Sequence, residues 1–222
     1  MKQYKTYIFD LDGTITDTTG IWIPIFRDCL ELVGVSAKDI ADDEIAKHTH
    51  DWNATVALGV KPEDISAFAK HATTLAKERL ANADLFSGAR DTLETLKAHG
   101  KQIAIFSSMD RSILDAAVTY NHLDEITPVI IAGTDVPRRK PYPDGIIRAL
   151  QDLGVAKQDY GQVVYIGDKD TDIQAAASAG VDSILFYPAI HQVIYDRDTI
   201  MSHNPTTVIT DWRELLGSIN VT

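Results

Sequence analysis

Hydrophobic and polar positions divide the chain into three blocks. The first is short: residues 6–9 read TYIF, a continuous apolar run of the kind a strand buried on both faces needs, and it stops at acids in "YIFDLDGTITDT". The second block, residues 19–84, holds no convincing strand and predicts helices over 21–33, 41–47, 53–58 and 62–81. Pro62 marks the start of the last of these, because a first-turn proline forfeits no helical hydrogen bond and Glu63 and Asp64 meet the positive helix end. The third block alternates. Its apolar runs QIAIFS, PVIIA, QVVYIGD, SILFY and TTVIT lie among helical stretches at 89–99, 112–120, 145–153, 172–179 and 212–219.

Alternation of that kind implies parallel strands joined by crossover helices, and the first strand shares their buried character. The expected fold is α/β: a doubly wound parallel sheet in a Rossmann-like core of residues 1–17 and 85–222. A small helical cap is inserted at 18–84, with hinges near Thr18 and Asp84. No internal repeat or low-complexity segment interrupts the pattern.

Composition narrows the functional classes. A chain of 222 residues with 45% hydrophobic content can bury a sizeable core. The net charge of -11, from 32 acidic and 21 basic residues, works against nonspecific attraction to nucleic acid or to an anionic membrane, so neither is an expected partner. Cys29 is the only cysteine, which excludes an intramolecular disulfide and a thiolate zinc cluster. The apolar run at the N-terminus is too short for an export signal, and no other stretch approaches membrane-spanning length. A soluble, cytoplasmic protein is expected.

In a doubly wound sheet, ligands bind beyond the carboxyl ends of the strands. Four such ends are polar together: Asp10 and Asp12, Ser107 and Ser108, Lys140, and Asp168 with Asp172. Singly, each has a structural explanation, since acids and serines cap helices and form turns while loop lysines are usually solvated. Together they bring carboxylates, a hydroxyl and an ammonium into one crevice. Clustered carboxylates repel unless a cation lies among them, and a hard dication such as Mg2+ is held by one or two carboxylates plus substrate phosphate oxygens. The pattern points to phosphoryl chemistry on a small phosphorylated substrate.

The stretches "DLDGT", "IFSS", "RRKPYPDG" and "GDKDTD", in that order, resemble the four motifs of the haloacid dehalogenase superfamily. The resemblance is to its capped phosphatase branch, which includes phosphoglycolate phosphatases and β-phosphoglucomutases, and the helical insertion after the first motif is similar to that branch's cap. It implies a Mg2+-dependent phosphatase working through an aspartyl-phosphate. Asp10 would be the nucleophile, and Asp12 the acid that protonates the leaving oxygen and then the base that activates water. Ser107 would hold a phosphoryl oxygen, and Lys140 would offset the charge of nucleophile and phosphate. Asp168 would ligate Mg2+ beside the Asp10 carboxylate and the Asp12 main-chain carbonyl, with Asp172 holding metal-bound water or the lysine. Ser108 stands where the family often has asparagine, and it would contact phosphate or cap the next helix, capping being the first reading. Asp170 reads as a loop residue. A spacing of two puts Asp10 and Asp12 on one side if the chain stays extended, and Gly13 then permits a sharp turn.

Other signals are weaker. His48, His50 and Asp51 have an HxH spacing but no further ligand nearby; they read as a cap loop reaching the leaving group or as a solvated connection. Trp22 and Trp52 read as cap packing. Of the cluster Arg138, Arg139 and Lys140, only Lys140 has a task, and Arg111 would meet phosphate or begin a solvated helix. A β-phosphoglucomutase-like phosphomutase is the first alternative, because "TITDT" also resembles its opening motif; Trp22 stands where that group carries a histidine. A dehalogenase would not need Asp12, since a departing halide takes no proton. A non-catalytic phosphoryl-binding module would have no use for the full set of reactive side chains.

Overall fold

The computed structural model describes residues 2–49 and 52–218. Its sheet has the order β3-β2-β1-β4-β5-β6, with every pairing parallel: β1 (Thr6–Phe9), β2 (Gln102–Phe106), β3 (Ile130–Ile131), β4 (Val163–Gly167), β5 (Asp182–Phe186) and β6 (Thr207–Ile209). The chain winds outward from β1 to β3, then returns to β4 and winds outward the other way, so the reversal lies between β1 and β4. Phe9 is level with both Ile105 and Ile166. The residues that follow these strands therefore emerge side by side at the point where such sheets open a crevice.

The two-residue period of a strand sends alternate side chains to opposite faces. Tyr7 and Phe9 pack with Leu93 and Leu96 of α4 (Ala89–Ala98), Leu114 and Val118 of α5 (Arg111–Tyr120) and Trp212. Ile8 faces the other way, onto Ile146 and Leu150 of α6 (Asp144–Asp152) and Ala175 and Ala176 of α7 (Asp170–Ala179). The small alanines let α7 lie close against the sheet, which fixes the turn before it.

Between β1 and α4 the described residues form the helices α1 (Thr19–Leu32), α2 (Asp42–Ala46) and α3 (Ile65–Arg79), with 3-10 turns among them and isolated bridges of Thr16 to Asp12 and Leu85. They enclose their own core of Ile25, Phe26, Leu30, Ile45, Phe68 and Ala72, which Ile113 of α5 joins from below. The two connections to this cap run side by side: Asp17 N donates to Asp84 O at 2.8 Å and Phe86 N to Ile15 O at 2.9 Å.

Several expectations need correction. Asp170 is not in a loop; it opens α7, two residues ahead of the expected start. The helical stretch expected at 212–219 takes the 3-10 form over Trp212–Ser218. β3 keeps two residues of the expected run, as an edge strand whose neighbour is β2 alone and which passes at once into a 3-10 turn, Gly133–Asp135. Two short helices, α8 (His191–Ile194) and α9 (Arg197–Met201), fill the β5 to β6 connection, where no helix was expected. Among the described residues, no helix is long and apolar enough to cross a membrane.

Candidate active site

Asp10 leaves β1 with its amide donating to Ile166 O at 2.8 Å, and its side chain is buried at the reversal between β1 and β4. Three residues on, Gly13 adopts φ +81 and turns the chain back. A Cβ there would stand 2.6 Å from Asp168 Oδ2, so the turn and the acid after β4 need each other's space. Thr14 Oγ1 donates to Asp168 Oδ1 at 3.1 Å, while Asp168 Oδ2 is buried without a hydrogen-bond partner among the described residues.

Asp172 lies in the first turn of α7, packed so closely on Gly167 that a Cβ there would meet its Cγ at 2.3 Å. Its Oδ2 accepts the amides of Asp168 at 3.0 Å and Lys169 at 2.9 Å. Its Oδ1 accepts Lys140 Nζ at 2.7 Å and the Tyr165 hydroxyl at 3.4 Å. Lys140 Nζ is also 2.7 Å from Asp10 Oδ1, and it sits over the rings of Phe106 and Tyr165 at 5.5 and 5.7 Å.

Burial pushes the Asp10 carboxyl up to about 8; Lys140 opposes the rise, and the Asp172 and Asp168 charges add to it. Burial likewise raises Asp168. For Lys140 burial works to lower the value, but the Asp10 and Asp172 carboxylates prevail and hold it above that of an ordinary lysine. Carboxylate oxygens of Asp10, Asp168 and Asp172 lie within 4.8 Å of one another. Such a set of hard oxygens, one of them an orphaned buried atom, fits a hard divalent cation.

Above these groups is a cavity of about 440 Å3, lined from the core by Asp10, Asp12, Ser107, Ser108 and Lys140 and from the cap by Thr18, Trp22, Thr49 and Trp52. The half-buried Asp12 receives two hydrogen bonds on Oδ1, from Thr18 Oγ1 and, at 3.3 Å, from Trp22 Nε1. Thr18 immediately precedes α1 and Trp22 lies in its first turns, so the entrance to the cap holds this acid. Ser107 is buried, with its Oγ accepting Met109 N at 3.2 Å. Ser108 lines the cavity but does not cap a helix as expected: α5 begins at Arg111 with Asp110 in the cap position, two residues beyond the serine. The Ser108 carbonyl instead accepts Arg139 Nη1 at 3.0 Å.

The structure thus brings Asp10, Asp12, Ser107, Ser108, Lys140, Asp168 and Asp172 into one region. Trp22 and Trp52 do pack, against each other, Phe26 and Phe68, yet both also face the cavity. Thr49 lines it from the cap loop; His48 lies 3.3 Å from Glu44, and His50 and Asp51 fall outside the described residues. Arg111 is engaged by Asp135, Asp115 and Ile130 O and does not line the cavity. Sequence reasoning missed the cavity residues Thr18, Arg139, Lys169 and Tyr195 and the bond from Trp22 to Asp12. The available signals were the four-residue spacing of Thr18 and Trp22 and the adjacency of Lys169 to Asp168; Tyr195 had none.

The family described as haloacid dehalogenase-like hydrolase matches residues 7–186. The chain is 28% identical over 225 residues to a phosphoglycolate phosphatase of Pseudomonas putida, an alignment covering 96% of this chain and 78% of the relative. It is 25% identical over 221 residues to pyrophosphatase PpaX of Halalkalibacterium halodurans, covering 99% and 98%. A crystal structure of a HAD family hydrolase from Deinococcus radiodurans superposes with a TM-score of 0.80 at 24% identity, covering 99% of this chain and 96% of that one. The matched segment takes in all four strand ends that carry the acids, the serines and the lysine, and the chain belongs to the haloacid dehalogenase-like hydrolase family.

Proposed function

We propose that this protein is a Mg2+-dependent phosphatase that hydrolyses a small phosphorylated metabolite through an aspartyl-phosphate on Asp10. The observation that carries the reading is the buried group of Asp10, Asp168 and Asp172 with Lys140 between two of them, beside Asp12 at the opening of the sheet. The similarity to a phosphoglycolate phosphatase and a pyrophosphatase supports the same chemistry.

An Asp10 carboxylate oxygen attacks phosphorus while the bond from phosphorus to the leaving oxygen breaks, and Asp12 gives its proton to that oxygen. Asp12 then takes a proton from water as the water oxygen attacks the phosphorus held on Asp10, which frees phosphate, restores the Asp10 carboxylate and leaves Asp12 protonated for the next turnover. The hydrogen bonds from Thr18 and Trp22 fix where Asp12 stands for both transfers. Ser107 and Lys140 receive phosphoryl oxygens. Asp172 acts through Lys140: both its oxygens are engaged, one by the lysine and one by backbone amides, so it holds the ammonium at Asp10. Mg2+ would be held by Asp10, Asp168 and the Asp12 carbonyl, and when bound it neutralises the acids and the phosphoryl oxygens. The division into a core of residues 1–17 and 85–222 and a cap of 18–84 makes the paired connections at Asp17 and Asp84 the hinge. Trp22 is committed to Asp12, which favours hydrolysis over the mutase alternative.

The test is phosphate release from sugar phosphates, phosphoglycolate, nucleoside monophosphates and pyrophosphate, with Mg2+ and with EDTA. Turnover is expected with Mg2+ and its loss in Asp10→Asn. Equal turnover by that variant would overturn the reading.

A further inference from the structure

Among the described residues, three cations line the catalytic cavity: Arg139, Lys140 and Lys169. Two are committed. Arg139 is bound by Asp110 at 2.5 Å and by the Ser108 carbonyl, and Lys140 by Asp10 and Asp172. The half-buried Lys169 has no carboxylate at ion-pair distance and no hydrogen bond from its ammonium among the described residues; its contact is the Tyr195 ring, 5.7 Å from Nζ. The backbone beneath it is nevertheless fixed, because Lys169 N donates to the same Asp172 oxygen that holds the amide of Asp168. The ammonium therefore projects from a tightly held turn with acids nearby but, among the described residues, none at ion-pair distance.

Its position separates it from the phosphoryl-binding groups. A second cavity, about 680 Å3, adjoins the catalytic one, and Lys169, Thr171, Ile194 and Tyr195 line both. Asp10, Ser107 and Lys140 line only the smaller. Lys169 thus stands at the junction, where a group attached to the reacting phosphate would extend. A cation on a partly desolvated wall gains most from an anion that supplies a charge-assisted hydrogen bond. Farther out, the larger cavity presents Asp170 and Asp196, while its other lysine, Lys47, is paired with Glu44 at 2.9 Å. Those acids repel a long polyanion, so the anion that fits is compact and close to Lys169.

We infer that Lys169 binds a second anionic group carried by the leaving group. The preferred substrates are then small phosphoryl esters or anhydrides with a carboxylate or phosphate a few bonds from the scissile phosphorus, an inference that rests on the phosphatase reading above. Lys169 also lies near Asp168, Asp12 and Asp10, and a role confined to offsetting their charge would act on every substrate alike.

The test compares 2-phosphoglycolate with ethyl phosphate, which replaces the carboxylate by a methyl group, and adds pyrophosphate as the phosphate-bearing arm. The wild type is expected to favour both substrates with a second anion. In Lys169→Met the kcat/KM ratio of each to ethyl phosphate should fall about 10- to 100-fold, chiefly through KM. Lys169→Arg should keep most of the preference. Calorimetric binding of 3-phosphonopropionate and propylphosphonate, in the presence of Mg2+, should show the same selectivity and the same loss. A ratio that stays unchanged in Lys169→Met, or a wild type that does not distinguish the pairs, would overturn the inference. If no ester is turned over, the phosphatase reading fails, while the phosphonate pair still decides what Lys169 recognises.

Discussion

Lys140→Met removes the one ammonium that two buried carboxylates share, and leaves a side chain of similar length. Lys140 Nζ is 2.7 Å from both Asp10 Oδ1 and Asp172 Oδ1, and all three side chains are at most 5% exposed. Deleting one partner of such a group leaves charge buried without compensation, which costs about 3–5 kcal/mol. The cost should be large here because Asp168 adds a third buried acid to the cluster. Adding Asp172→Asn removes one of the stranded charges, so the double variant should be more stable than the sum of the two single losses by about 1–3 kcal/mol. Urea unfolding in EDTA at pH 9, above the value of about 8 to which Asp10 is raised, for the wild type, both single variants and the double, completes the cycle, and Mg2+ should recover part of the loss in Lys140→Met. A Lys140→Met protein within about 1 kcal/mol of the wild type, or losses that simply add, would refute the account of a mutually dependent charge cluster.

Trp22→Phe keeps an aromatic ring against Phe26 and Trp52 but removes the Nε1 donor to Asp12; kcat should drop about 10-fold while stability moves by less than about 1 kcal/mol, and an unchanged kcat would show that the bond has no role. Gly13→Ala should cost about 2–4 kcal/mol by denaturant unfolding and abolish turnover, since it combines a left-handed backbone with a Cβ 2.6 Å from Asp168 Oδ2; wild-type stability would contradict the turn geometry. The pH dependence has a definite sign. Asp10 is raised from 3.8 to about 8, so the folded chain holds a proton that the unfolded chain has released, and this group's contribution to stability declines as pH rises from about 4 to about 8. In EDTA, the stability of the wild type minus that of Asp10→Asn should fall between pH 5 and 8, and Mg2+ should flatten the decline. A flat or rising difference in EDTA would reverse the assignment.

Most of the candidate site was legible in the sequence because the fold writes it at strand ends. Asp10, Ser107 and Asp168 each follow an apolar run directly, and parallel strands in level register bring such positions together whatever the intervening chain does. Asp172 was readable from the stretch GDKDTD, which resembles a family motif, and Gly13 from the sharp turn that it permits. What escaped depends on where the cap comes down and on packing between distant segments. Trp22 reads as a core aromatic, and only the approach of α1 to Asp12 turns its indole N–H into a hydrogen-bond donor to the acid. Lys169 went unassigned, because the second cavity beside it is walled by α8, which no periodic signal marks. Ser108 was misread for a local reason: a cap assignment depends on the first helical residue, and that boundary lies farther along the chain.

The central claim is that Asp10 carries the phosphoryl group while Asp12 moves the protons. Incubating Asp12→Asn with a 32P-labelled substrate identified by the panel, followed by acid quench and peptide mapping, tests it most directly. The account predicts that label accumulates on the peptide containing Asp10, releases slowly for want of the base, and is absent from the Asp10→Asn/Asp12→Asn double variant. Label on any other residue, or label retained in the double variant, would contradict it.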